Sequence, residues 1–119
     1  MFKSVEYVGF EGHPELLQLA KRATEVLAVV IRKWREELQV TWRPASADSR
    51  TALELTLALT LWNAADSATG YIRTRDFDPG EEDTLRSDLR GVWSDLLARL
   101  SDQQTKRRLD EMLRQPEEV

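Results

Sequence analysis

The chain has 119 residues, 41% hydrophobic and 32% charged, which is enough for one domain with its own core and a well-solvated surface. The net charge of −4 disfavours a general attraction to nucleic acid or to an anionic membrane. The absence of cysteine excludes disulfides and thiolate metal sites. The first residues lack a signal peptide's apolar core, and the apolar stretch at 26–31 is too short to cross a bilayer. We therefore expect a cytoplasmic protein that does not enter a membrane.

The first part of the chain predicts a long helix. Residues 1–12 leave two interpretations open, a short strand or an extended lead-in, and Pro14 then suits a first helical position. Apolar residues recur at steps of three and four over residues 16–38, which predicts an amphipathic helix of about 25 residues. The apolar stripe is wider than one sheet face needs, which indicates contact with a second helix or a second subunit. The residues that widen it are Leu19, Val26 and Val29.

Alternating apolar and polar residues predict the sheet. Leucine occupies every second position over residues 53–61, a spacing that sends these side chains to one face of a strand but would divide them between opposite sides of a helix. Residues 39–45 predict a first strand, which Pro44 places at an edge or ends. The leucine strand follows as the second, and residues 68–75, after a polar link at 63–67, predict a third strand. We expect an antiparallel meander.

Two helices are predicted after the sheet. A capping box at residues 78–81, aspartate followed by proline, glycine and glutamate, starts the first of them. Apolar spacing continues it to residue 100, the polar residues 101–102 interrupt it, and a shorter helix follows. Residues 115–119 are expected to form a frayed tail.

Together these elements predict a single α+β domain over residues 1–119: a long N-terminal helix, a three-stranded antiparallel meander and two C-terminal helices packed on one sheet face. The order of helix, three strands and helix resembles the double-stranded RNA-binding domain in outline. Such a domain needs a basic start to its second helix, whereas this start is acidic and would repel phosphate. The acidic residues are Asp76, Asp78, Glu81, Glu82 and Asp83. We therefore expect no nucleic-acid partner.

The sequence contains no recognisable constellation for catalysis, metal binding or cofactor binding. His13 is the one histidine, and no nucleophile is spaced to work with it. The acidic run at 76–83 lacks the rest of a calcium-loop pattern and is better explained by the partial positive charge at a helix start. The five glycines are scattered and form no phosphate loop. An enzyme is thus the less favoured interpretation, with no catalytic residue, metal ligand or cofactor predicted.

The most informative candidate surface is the sheet face opposite the leucines. Aromatic side chains and arginines on it suit contact with a protein or an anion, and an outward Trp62 suits a contact hot spot. A plain solvated face is the alternative, with Arg43, Glu54 and Arg73 in cross-strand charge pairs, and a bulge could also turn Trp62 inward. The candidate binding residues are Trp62, Tyr71, Arg43, Arg73 and Arg75.

These observations lead to two hypotheses. The first is a small non-catalytic protein-interaction or regulatory domain that binds a protein partner or forms a homodimer. It is favoured by the wide stripe of the first helix, the length of the leucine strand and the outward register of Trp62. The second is a sensor domain that binds a small molecule or an anion on the outer sheet face, using the arginines and Tyr71.

Overall fold

The computed structural model describes residues 1–47, 50–61 and 64–114. One mixed sheet has the spatial order β1–β2–β3–β4, with strands β1 (Ser4–Tyr7), β2 (Leu38–Ala47), β3 (Arg50–Leu61) and β4 (Ala64–Arg73). Helix α1 (Pro14–Val30) lies between β1 and β2 in the chain, and helix α2 (Glu82–Arg114) follows β4. The fold is therefore α+β, but its elements differ from the predicted set.

The sheet has a fourth strand, so the prediction of a three-stranded sheet is wrong. β1 pairs in parallel with β2, with Val5 opposite Val40 and Tyr7 opposite Trp42. Helix α1 forms the crossover that a parallel pair requires. The other strand pairs are antiparallel, so the meander is only one side of a mixed sheet. A strand of four residues is too short for apolar alternation to distinguish it from an extended lead-in.

A single C-terminal helix replaces the two that were predicted. α2 continues without a break through Ser101 and Asp102, whose helix propensities are only moderately unfavourable. Packing overrides that cost: Leu100 is buried, and the Gln103 amide donates to the carbonyl oxygen of Ala65 at 3.0 Å. The helix therefore stays in contact with β4 on both sides of the predicted break.

The start of α2 also differs from the predicted capping box. Gly80 has a φ of 89°, and the N–H of Glu81 donates to the carbonyl of Asp78 at 3.1 Å. With Pro79 preceding the glycine, this geometry is typical of a type II turn. The first helical hydrogen bond runs from the N–H of Leu85 to the carbonyl of Glu81. Glu81 therefore occupies the N-cap position that the sequence assigned to Asp78.

Helix α1 ends at Val30 and not near Leu38 as predicted. Ile31 is extended, which ends the helix, and Trp34 has a φ of 62°. A 3₁₀ turn at Arg35–Glu37 then leads into β2. Ile31 and Leu38 are nevertheless fully buried. The apolar spacing therefore indicated which residues enter the core, but not the backbone conformation that brings them there.

The core fills the space between one face of the sheet and the two helices. Leu53, Leu55 and Leu57 are fully buried, which confirms the inward register of the leucines. The helices contribute Ala20, Ala23 and Leu27 from α1 and Leu85, Leu89, Val92, Leu96 and Leu100 from α2. The helices also contact each other. Of the residues that widen the stripe of α1, Leu19 and Val26 pack against the core, whereas Val29 is exposed. No helix in the described part of the chain has both the length and the apolar composition needed to cross a membrane.

One hydroxyl group joins β1, α1 and β2. Trp42 Nε1–H donates to Thr24 Oγ1 at 2.9 Å, and the Thr24 hydroxyl donates to the carbonyl of Ala20 at 2.8 Å. The hydroxyl of Tyr7 lies 3.1 Å from the same Oγ1. Because the single hydrogen of Thr24 is already used, Tyr7 is the donor in that contact. The buried indole N–H is thereby satisfied, and the crossover is held against the sheet.

Candidate functional site

The side of the sheet away from the helices carries no further layer in the part of the chain that the structure describes. Both helices pack into the cluster of buried leucines, so alternate residues of β2, β3 and β4 point away from them. We call this surface the open face. The strand register arranges its side chains in rows, with residues two apart along a strand about 6.6 Å from each other. The rows are Arg43–Glu54–Tyr71, Thr41–Thr56–Thr69 and Gln39–Ala58–Ser67.

The first row combines a charge pair with an aromatic side chain. Arg43 and Glu54 form a cross-strand ion pair at 3.6 Å, with side chains 48% and 27% exposed. A pair this accessible stabilises a fold by at most about 1 kcal/mol. Tyr71 lies beside Glu54 and is 53% exposed. The row therefore presents a satisfied charge pair and an aromatic ring that projects into solvent.

The second row is uncharged on β2, β3 and β4, and Glu6 continues it on β1. The hydroxyl oxygens of Thr56 and Thr69 lie 3.0 Å apart in a cross-strand hydrogen bond, and Thr41 continues the row on β2. Short side chains of equal length leave this part of the sheet flat. We call it the threonine row.

A depression of about 370 Å³ lies beyond the threonine row, at the end of the open face where β2 begins. It forms because the outward side chains there are short, namely Ala58, Thr60, Ala65 and Ser67. Charged residues also line it: Lys3, Glu37 and Asp66. The Asp66 carboxylate is held by the Gln103 amide at 2.8 Å and by the Ser67 N–H at 2.8 Å.

A larger depression of about 550 Å³ lies at the start of α1. It contains His13, Glu15 and the apolar side chains of Leu16 and Leu19. The side chain of His13 makes no capping hydrogen bond to the helix. Thr51 of β3 and Thr74 also line it. Because the predicted binding residues Arg43, Tyr71 and Arg73 lie on the open face and not here, the open face is the stronger candidate site.

The structure brings some of the predicted binding residues together. Tyr71 and Arg43 share one row of the open face. Arg73 is two residues beyond Tyr71 on β4, opposite Ala52, and therefore lies on the same side of the sheet. These three positions occupy one end of the open face.

Two other predicted binding residues are not part of this group. β4 begins at Ala64, before the predicted start at residue 68, and ends at Arg73. Arg75 therefore falls in the 3₁₀ turn Thr74–Phe77 and not on the sheet. Trp62 lies outside the described residues, so its outward register stays a prediction.

Sequence reasoning missed a pair of carboxyl groups between the 3₁₀ turn and α2. Asp76 is only 4% exposed, and its Oδ2 has no hydrogen-bond partner. Burial, and then the hydrogen bond and charge of Asp76, raise the pKa of Asp88 to about 6, against the lowering influence of Arg73 and Arg75. A proton on Asp88 supplies Asp76 with a donor. Since the two aspartates are twelve positions apart in the chain, no local spacing indicates their contact.

The open face contains no ligand constellation of a familiar kind. Among residues 1–47, 50–61 and 64–114, no group of three or more histidine, aspartate or glutamate side chains is arranged to hold a metal ion. Comparisons with protein-family models, with curated proteins and with solved structures gave no match to this chain. Function must therefore be argued from the geometry of the open face itself.

Proposed function

We propose that this protein is a small non-catalytic interaction domain that self-associates through the open face of its sheet. The observation that carries the proposal is the one-sided packing of the molecule: both helices join the buried cluster on the leucine side. The opposite side has no covering layer within the described residues and exposes the ring of Tyr71. As part of the same proposal we expect the protein in the cytoplasm, since a chain without cysteine does not depend on disulfides.

The chemistry of the open face supports a contact with another sheet. Antiparallel sheets often leave one face in water, but such faces usually carry many long charged side chains. Here the threonine row and the row of Gln39, Ala58 and Ser67 contain no charge on β2, β3 and β4. Their short side chains allow a second sheet to approach to the usual separation of about 10 Å.

The size of the open face sets the expected affinity. Three strands about 33 Å long at a spacing of about 4.8 Å present roughly 450 Å² of surface on each copy. Two such faces together bury roughly 900 Å², which is below the roughly 1,200 Å² of stable interfaces and within the range of weak, transient ones. We therefore expect a reversible dimer with a dissociation constant on the order of micromolar.

No observation favours the anion sensor as a second function. Arg43 is already paired with Glu54, and Arg75 lies in the 3₁₀ turn beyond the sheet. Arg73 contributes to the electrostatic field at Asp88. Arg73 and Arg75 both act on the carboxyl group of Asp88, so each of the three guanidinium groups already has a carboxyl group of this chain nearby.

Sedimentation equilibrium or size-exclusion chromatography with light scattering tests the proposal. We expect the mass to rise from the 13.7 kDa of the monomer towards twice that value between roughly ten micromolar and one millimolar. Thr56→Lys places a charge in the centre of the open face and should abolish this rise. Ser94→Lys adds the same charge at an exposed position of α2 and should not. A monomer mass at every concentration would overturn the proposal.

A further inference from the structure

We infer that two copies of the chain meet face to face across a two-fold axis that lies over the threonine row and runs perpendicular to the strands. In this arrangement Tyr71 of each copy enters the depression of the other. The inference rests on the proposed self-association and adds to it the geometry of the dimer and the residues that form it.

Symmetry limits the arrangements to two. Homodimers are two-fold and bring the same patch of both copies together, and if the two sheets pack in the aligned manner the axis lies close to the strand direction or across it. An axis along β3 would set Glu54 against Glu54 of the second copy in the middle of the contact, which like charges disfavour. An axis across the strands at the threonine row sets only hydroxyl and methyl groups together on β2, β3 and β4, and its one like-charge pair, Glu6 with Glu6 of the second copy, is at the edge strand β1. The uncharged centre therefore selects the second arrangement.

With that axis, the projecting ring of Tyr71 in one copy lies over the depression at the end of the open face in the other copy. The axis places each strand over the same strand of the second copy. The row of Arg43, Glu54 and Tyr71 then lies over the row of Gln39, Ala58 and Ser67 of the second copy. Tyr71, which is 53% exposed, then lies over Ser67 of the second copy. Ser67 is one of the short side chains that line the depression of about 370 Å³. A tyrosine ring that enters such a depression loses much of its exposed apolar surface, as anchors of interfaces do.

The same axis brings opposite charges together on β2. Arg43 lies over the start of β2 in the second copy, where Glu37 lines the depression. The arginine side chain is 48% exposed and can contact both this carboxylate and its own partner Glu54. Glu6, opposite Thr41 in the register, lies on the same row as the axis and faces its own counterpart. Glu6 is exposed on the edge strand, where solvent and salt screen the repulsion between the two carboxylates.

Thiol cross-linking locates the axis, and the chain suits it because it has no cysteine of its own. A bismaleimide with a spacer of about 10 Å spans two stacked sheets. Thr56→Cys lies under the axis and should cross-link to itself. Glu54→Cys and Ala58→Cys should cross-link to each other in a mixture, with one variant mass-tagged, and only weakly when each is alone. Ser94→Cys on α2 is the control for random collisions.

The outcomes separate the dimer geometry from the proposed function. Efficient self-linkage of Glu54→Cys would select the axis along the strands and overturn the inference. If the protein is a dimer in solution but Thr56→Cys cross-links no better than Ser94→Cys, the inferred axis is wrong, although the proposed self-association still holds. A chain that stays monomeric at all concentrations would remove both.

The contribution of Tyr71 is tested separately. Tyr71→Ala should weaken dimerisation at least tenfold, because the ring fills the depression of the second copy. Val29→Ala is the matched control: Val29 is 63% exposed on α1, outside the open face, and its loss should leave the dissociation constant unchanged. Equal effects of the two substitutions would contradict the role assigned to Tyr71.

Discussion

At the scale of single residues, Asp88 makes the stability of the fold depend on pH. Its pKa is raised from 3.8 to about 6 in the folded chain, so the folded state holds this proton more tightly than the unfolded state. The stability linked to the proton is fully present below pH 4 and is lost as the pH rises through 6. Asp88→Asn keeps a neutral group that can donate to Asp76. We predict that it stabilises the protein by about 1 kcal/mol at pH 7.5, after allowance for solvent screening.

Urea unfolding at pH 4, 6 and 7.5 measures this effect. The wild type and Asp88→Asn should be nearly equal in stability at pH 4 and should separate as the pH rises. Asp102→Asn removes an exposed carboxylate from the same helix and should not reproduce the separation. A difference between wild type and Asp88→Asn that is independent of pH would show that the carboxyl pair does not share a proton.

Gly70 is the residue that allows α2 to lie close to β4. A Cβ at this position would collide with Cγ2 of Val92, and valine cannot easily turn away because its χ1 is restricted. We predict that Gly70→Ala destabilises the protein by about 1–3 kcal/mol. In a double-mutant cycle, Val92→Ala should relieve at least about 1 kcal/mol of that cost.

Gly91→Ala is the control, because nothing lies within 4 Å of the added carbon. It should instead stabilise the helix by up to about 1 kcal/mol.

At the scale of elements, Thr24 determines how firmly the crossover is joined to the sheet. Thr24→Val keeps the shape of the side chain but removes the acceptor for Trp42 Nε1–H, and Trp42 is fully buried. An unsatisfied buried donor costs about 1–3 kcal/mol, and chemical denaturation should detect a loss of this size. Thr24→Ser keeps the hydroxyl and should lose less stability. A larger loss in the serine variant would assign the effect to the methyl group.

The predicted elements differ in how much local sequence could determine. β3 was predictable because alternating leucines over residues 53–61 are a local pattern that only a strand can bury on one side. The end of α1 was not predictable. Ile31 and Leu38 fit the apolar spacing of a helix, but they reach the core through a segment that is not α-helical. The continuity of α2 was also not predictable, because it depends on the contact of Gln103 with Ala65, a residue far away in the chain.

At the scale of the whole molecule, the length of α2 gives the proposed dimer a distinctive shape. The monomer measures 66 × 27 × 23 Å. α2 is about 50 Å long, against about 33 Å for β4, and residues 104–114 follow the contact of Gln103 near the start of β4. A two-fold axis across the strands sends these extensions to opposite ends. Small-angle X-ray scattering should then give a longest dimension on the order of 80 Å for the dimer.

Other arrangements predict other lengths. An axis along the strands places both extensions at the same end and leaves the longest dimension near that of the monomer. An end-to-end dimer would be about twice as long as the monomer. Either result in a sample shown to be dimeric would exclude the axis over the threonine row.

The candidate site was only partly predictable. The sequence indicated that Arg43 and Tyr71 lie opposite the leucines, since strand alternation alone decides the side of a sheet. Their common row depends on register, which pairs both with Glu54. The position of Arg75 depends on where β4 ends, and the contact of Asp76 with Asp88 depends on how α2 packs beside the 3₁₀ turn.

By itself, the sequence determined which residues of the long strand enter the core and which remain outside, because side-chain alternation is a property of neighbouring residues. Only the tertiary structure decided the fourth strand, the single C-terminal helix, the depression beside Ala58 and the carboxyl pair of Asp76 and Asp88. Each of these depends on contacts between residues distant in the chain. Such contacts are selected by packing of the whole domain, and no local pattern records them.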